Sequence, residues 1–122
     1  MKYLITILLF LPLFSSAQYL DLLDDNECKV QATTYYDNGK IKELGCYNES
    51  QTCKVGNWTS YNQNGILLSS VNFNSEGLKS GVWKIYDDKG TLRAQMEYQN
   101  GKRVGNWKVF NSSGILINER NY

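Results

Sequence analysis

The 122-residue sequence contains no histidine. Without an imidazole, a Ser/His/Asp triad, histidine-based general acid–base work and most zinc sites are excluded. The carboxylates do not fill that gap, because Asp87 and Asp88 precede a turn glycine, where short polar residues serve the turn. The stretch from Gly77 to Gly81 lacks the Lys-Ser/Thr of a phosphate loop and precedes a strand. The reading is a chain with no catalytic residues, no cofactor and no metal, and hence not an enzyme. Charge of one sign is also lacking: 13 Lys and Arg face 12 Asp and Glu, scattered along the chain. That balance favours neither nucleic acid nor an anionic membrane surface as partner. Long apolar runs are missing too. The longest, over residues 3–14, is well short of the roughly 20 residues that span a bilayer.

That short run has its own meaning. Residues 1–17 carry one basic residue (Lys2), the apolar stretch, and the small-residue ending Ser15, Ser16, Ala17, the three-part pattern of a cleavable secretory signal. The expectation is an exported protein, periplasmic or secreted, beginning at Gln18. Residues 18–27 form an acidic leader with Asp21, Asp24, Asp25 and Glu27; the spacing of Tyr19, Leu20, Leu22 and Leu23 permits a short amphipathic helix. The remainder is enough for one small domain, in the size range where a core is marginal unless repeats or staples help.

Self-similarity dominates residues 28–122. Gly-x-Trp occurs at Gly56-Asn57-Trp58, Gly81-Val82-Trp83 and Gly105-Asn106-Trp107. Each Trp is followed three residues later by Tyr61, Tyr86 or Phe110, and seven residues later by Gly65, Gly90 or Gly114. Leu67, Leu92 or Leu116 comes next, and each unit ends on Phe73, Tyr98 or Tyr122. A decayed first copy keeps Tyr35, Gly39, Ile41 and Tyr47 but has Val30 and Ala32 in place of the first Gly and the Trp. About four units result. Each predicts a β-hairpin, with Asn38-Gly39 and Asn64-Gly65 as type I′ turns. Length varies only between units, which puts the variable loops on one edge of the sheet.

Counting from the turns sets Trp58 opposite Val71, Gly56 opposite Phe73, Gly81 opposite Tyr98 and Gly105 opposite Tyr122, so that a ring is expected to cover each strand glycine. Alternation collects Trp58, Trp83, Ile85, Trp107, Val109, Leu67, Val71, Phe73, Leu92, Met96 and Tyr98 on one face, read as the core. The other face takes Lys84, Lys108, Arg93, Gln95 and Glu97, together with a stripe of Tyr35, Tyr61, Tyr86 and Phe110. That stripe is the candidate binding surface, the alternative being a ladder that only stiffens the sheet. Flat apolar area beside polar groups suits a protein or a cell-envelope polymer.

The pattern Gly-x-Trp-x-x-Tyr-x-x-x-Gly-x-Leu ending in an aromatic resembles the MORN-repeat variant, found in bacterial proteins labelled YwqK-like antitoxins. The resemblance implies an all-β, elongated, twisted antiparallel meander of hairpin repeats with a binding or scaffolding role. Its antitoxin label implies, as the alternative, an inhibitor of one toxin protein. Of the three cysteines, Cys46 and Cys53 flank a six-residue loop and share the face opposite Trp58. They are expected to form a disulfide in an exported protein, leaving Cys28 free, with Cys28–Cys46 as the nearest rival bond. A single sheet leaves its Trp face wet unless curling or residues 18–27 cover it. Deletion of 18–27 is therefore expected to lower the melting temperature, and unchanged melting would exclude that cover.

Overall fold

Two strands per unit, alternating in polarity and broken at glycine, build a meander in the computed structural model, which describes residues 28–122. The signal, the acidic leader and its expected helix lie outside the described residues. The strands are β1 (Val30–Tyr35), β2 (Ile41–Tyr47), β3 (Lys54–Tyr61), β4 (Leu67–Phe73), β5 (Gly81–Tyr86), β6 (Leu92–Gln99), β7 (Lys102–Phe110) and β8 (Leu116–Asn121). They form one antiparallel sheet in sequence order, each strand paired only with its chain neighbours. The expected register holds: Trp58 pairs with Val71, Gly56 with Phe73 and Gly81 with Tyr98, while the Tyr122 N–H reaches the Gly105 carbonyl at 2.9 Å.

The hairpin turns differ from the expected type I′. Gly65 has φ +84°, but Asn64 before it does not leave the negative-φ region. The Gly65 N–H donates to the Asn62 carbonyl and the Asn62 N–H to the Ile66 carbonyl. This is a type I turn closed by a left-handed glycine, a three-residue loop that shifts the ladder by one residue. A bulge between Ser60 and Tyr61 restores the count, which is why the register beyond it matches the two-residue arithmetic. The same shift recurs at Thr34/Tyr35, Ile85/Tyr86 and Val109/Phe110. A type I′ pair does occur, at Asn100-Gly101 (φ 50° and 79°) between units, where β6 passes into β7 through the tightest connection.

The expected turn role of a short polar residue holds at Asp87, and Asn62, Asn74 and Asn111, which the sequence alone does not single out, open their turns in the same way. The side-chain oxygen of Asn62 accepts the N–H groups of Asn64 and Ile66 at 2.9 Å each. Asn74, Asp87 and Asn111 do the same in their own loops. A short polar side chain here mimics a backbone turn and satisfies donors that the ladder leaves over. Asp87 is the one ionisable member of the set. The Thr91 N–H bonded to its carboxylate outweighs a modest desolvation and, with the Lys89 N–H and the Arg93 charge, holds its pKa below the usual carboxylate value.

The Gly-x-Trp triplet is a second bulge. On β2, Leu44 pairs with Thr59 but Cys46 pairs with Val55, so Gly56, Asn57 and Trp58 stand against Gly45 alone. Gly105, Asn106 and Trp107 stand likewise against Met96. Gly56 has φ +66°, where an L side chain is strained. A Cβ there would meet nothing within 4 Å. Backbone conformation, then, and not a covering ring, selects this glycine.

The expected core is thin. Among the described residues, Trp58 is the only buried apolar side chain, at 4 % exposure; Trp83 and Trp107 are half-buried, and Val109 is exposed. Trp58 sinks because Gly45 lies beneath it: a Cβ on Gly45 would fall 2.1 Å from the indole Cδ2. The corresponding positions of later units are Val71 and Met96, which lift the ring.

The expected Cys46–Cys53 bond is replaced by Cys28–Cys46, with a Cα separation of 5.4 Å, and Cys53 is the free thiol. Two local features reverse the expectation. Asn48 draws the β2–β3 loop tight, its N–H bonded to the Cys53 carbonyl and its side chain accepting from Thr52 and Cys53, so Cys46 faces Val55 and not Cys53. A bend at Lys29 carries Cys28 out of strand parity and over to Cys46.

Gly45→Ala is expected to destabilise the fold by about 1–3 kcal/mol through overpacking. Trp58→Ala is expected to cost about 3–5 kcal/mol, more than Trp83→Ala; urea titration of the three variants checks the order. Because its folded pKa is lowered, Asp87 contributes stability above the usual carboxylate pKa and loses it as pH falls through the lowered value. Asp87→Asn should fold, as Asn62 and Asn111 already serve this position, and should remove acid sensitivity from amide protection at Gly90 and Thr91.

Candidate binding surface

Each Trp reaches backward across the sheet. The indole N–H of Trp58 donates to the Cys46 carbonyl at 3.0 Å, that of Trp83 to Asn72 at 2.9 Å, and that of Trp107 to Glu97 at 3.0 Å. In every case the acceptor lies one residue before the aromatic that ends the preceding unit. The two rings then meet: Tyr47 with Trp58 at 5.1 Å, Phe73 with Trp83 at 5.4 Å and Tyr98 with Trp107 at 5.1 Å. Trp83–Tyr98 and Trp107–Tyr122 contacts extend the last three units into a continuous ladder of tilted and edge-on rings, the arrangement that ring quadrupoles favour.

A cation closes each indole from the open side. Lys54 stands 4.1 Å from the Trp58 ring centre, Lys79 4.9 Å from Trp83, and Arg103 4.9 Å from Trp107. All three lie four residues before their Trp, so the unit reads Lys/Arg-x-Gly-x-Trp. The bulge makes this possible, since its left-handed glycine folds the strand enough for the i and i+4 side chains to overlie one another. In the first unit, where Ala32 replaces the Trp, Cys28 occupies the cation position and a disulfide ties down the strand instead. The spacing was visible in the sequence, but only the register gives it a reason.

Register also reorganises the charge. Lys54 pairs with Tyr47, Lys79 with Phe73, Arg103 with Tyr98 and Arg120 with Trp107, and direct partners share a face. Of the strand carboxylates, Glu43 is on the Trp face, ion-paired to Lys54. Glu97 pairs with Val82, and Glu119 with Lys108, on the reverse face. Cations that look scattered along the chain therefore line one row on the ring-bearing face.

The predicted stripe occupies the opposite margin, beside the hairpin turns. Tyr35, Tyr61, Tyr86 and Phe110 each stand at the bulge of their hairpin, paired with Ile41, Leu67, Leu92 and Leu116. The bulge thus sets the stripe abreast of residues that simple alternation assigns to the other face. Tyr35 is 61 % exposed and the other three are half-buried. No ring contact joins one stripe member to another among the described residues; Leu or Ile stands between them. Two shallow clefts open where the first two units meet. One is lined by Tyr35, Tyr36, Asp37, Asn38, Lys42 and Gln63, the other by Ile41, Tyr61 and the turn residues Gly39, Lys40 and Gly65. Among the described residues, no cluster of Cys, Asp or Glu has the makings of a metal site, and no helix is long and apolar enough to cross a membrane.

A family model described as the MORN repeat variant matches residues 31–49, 54–75 and 79–100. Two of these matches begin at or beside the cation of the Lys/Arg-x-Gly-x-Trp unit, and the first covers the copy that lacks its Trp. No curated protein and no solved structure matches the chain. The residues from Arg103 to Tyr122 repeat the same turn, bulge, indole bond and ring contacts. With three repeats matched over more than half of its length, and an open antiparallel meander as the fold, the chain belongs to the MORN repeat variant family.

Proposed function

We propose that this chain is a non-catalytic, exported binding or scaffolding module, acting in the periplasm or outside the cell, that engages a protein or an envelope polymer through its repeat surface. One observation carries the reading: the stripe of Tyr35, Tyr61, Tyr86 and Phe110 has no ring-to-ring contacts within itself, whereas the Trp ladder already supplies cross-strand stiffness. Aromatic side chains that are not consumed by stacking, set beside polar turn residues on a one-layer sheet, are suited to a partner's apolar surface. The absence of histidine and the turn role of Asp87 support a non-catalytic reading, and the residue pattern of 1–17 supports export.

The test separates the two aromatic sets. Tyr86→Ala is expected to shift stability by less than about 1.5 kcal/mol, as for a half-buried surface ring, while abolishing capture of the partner from envelope extract. Trp83→Ala should do the reverse, lowering the melting temperature more than it lowers capture by the folded fraction. Loss of stability in Tyr86→Ala with capture intact would return the stripe to a structural role. Capture of one stoichiometric protein would specify the inhibitor form of the same reading.

A further inference from the structure

The cation row on the Trp face has a spacing, a backing and a charge imbalance that together define a ligand class. Lys54, Lys79 and Arg103 recur once per unit at the same lateral position of the sheet; Arg120, opposite Trp107 and two residues inward of that position, flanks the row on the last strand and shares the Tyr122 ring with Arg103. Two strands separate successive unit cations, so with about 4.8 Å between strands they stand about 10 Å apart. Lys54 is neutralised by Glu43. Lys79, Arg103 and Arg120 have aromatic rings as neighbours and no carboxylate within ion-pair distance among the described residues. A shallow cleft at the end of the row is lined by Trp107, Val109, Asn118, Glu119, Arg120 and Tyr122.

We infer that this row is a docking track for a linear acidic polysaccharide, with Lys79, Arg103 and Arg120 each meeting a carboxylate of the polymer. The inference rests on the reading of the chain as a binding module and names its partner class. Three features choose this occupant. A chain of pyranose rings with an acid on alternate rings repeats on the length scale of one hairpin unit. Single- or double-stranded nucleic acid places charges much more densely, about 3.4 Å apart per strand in a duplex, and also draws on base stacking. The indole faces cannot supply that stacking, since each lies against the preceding strand and beneath its own cation. An anionic bilayer presents a plane, whereas a sheet twisting by roughly 20–25° per strand turns successive cations away from any one plane. A flexible polymer follows the twist. The cations are also partly prearranged, because each is held over an aromatic ring, and less ordering remains to be done on binding.

The test is titration of the purified full chain with a hyaluronan decasaccharide, with dextran, poly(dT) and phosphatidylglycerol vesicles as competing probes. Hyaluronan should bind and dextran should not, and hyaluronan affinity should fall as salt is raised, because mobile ions screen each carboxylate–cation contact. Lys79→Gln/Arg103→Gln should weaken binding at least about tenfold, given that each lost charge contact is worth a few-fold. Lys79→Arg/Arg103→Lys should bind within about threefold of the parent, because charge is retained. Arg120→Gln, which leaves the three unit cations in place, should weaken binding about threefold even if the double variant fails to fold. Lys84→Gln/Lys108→Gln, on the reverse face, should leave it unchanged. Tighter binding to poly(dT) or to vesicles than to hyaluronan, equal losses from the two faces, or no hyaluronan binding would overturn the track. If Tyr86→Ala still abolishes partner capture in that case, the binding-module reading stands and only the polymer assignment falls.

Discussion

A sheet one layer thick has no second layer on which to bury its apolar side chains, so cohesion must run within the plane of the sheet, from one strand to the next. The indole laid backward over the preceding unit meets that constraint. It covers a neighbouring strand, satisfies its own N–H on that strand's carbonyl, stacks edge-on with the aromatic that ends the unit, and takes a cation on its outer side. Each of these contacts is modest alone. Repeated at Trp58, Trp83 and Trp107, they make every unit the support of the next, which is the nearest-neighbour energetics of a repeat array.

Two glycines with different duties allow the arrangement. The glycine of Gly-x-Trp takes a left-handed conformation that inserts two extra residues against a single partner, and this local fold brings the i and i+4 side chains together. Gly45 acts through its missing side chain, letting Trp58 settle onto the backbone as the only buried ring among the described residues. The first unit has given up its own Trp and receives support from both sides: a disulfide at Cys28 and the deepest indole of the array.

Much of the fold is legible in the sequence because side-chain period and turn spacing are themselves periodic. The Gly56–Phe73 and Gly81–Tyr98 pairings follow from counting alone. Counting succeeds there for a partly fortuitous reason, since the glycine in the turn and the bulge at Ser60/Tyr61 offset one another. It fails at Cys46, because the Asn48 side chain tightens a loop whose length alone is compatible with another register. It also fails for the stripe, where the bulge sets Tyr61 abreast of Leu67. The charge row was illegible for a different reason: faces are defined only once Lys79 is known to lie across from Phe73 and Glu97 across from Val82. Conversely, the four-residue step from Lys or Arg to Trp lay open in the sequence, but strand alternation gives no cause to look at such a step.

The backward direction of every indole has a consequence for how such a chain changes over generations. A block running from one Lys/Arg to the residue before the next begins with the parts that grip its predecessor and ends with the parts that its successor grips. Duplicating or deleting one whole block therefore leaves both junctions chemically complete. Array length can grow or shrink in steps of one hairpin with no compensating substitution, and the reach of the surface changes with it while the interior of each unit stays the same.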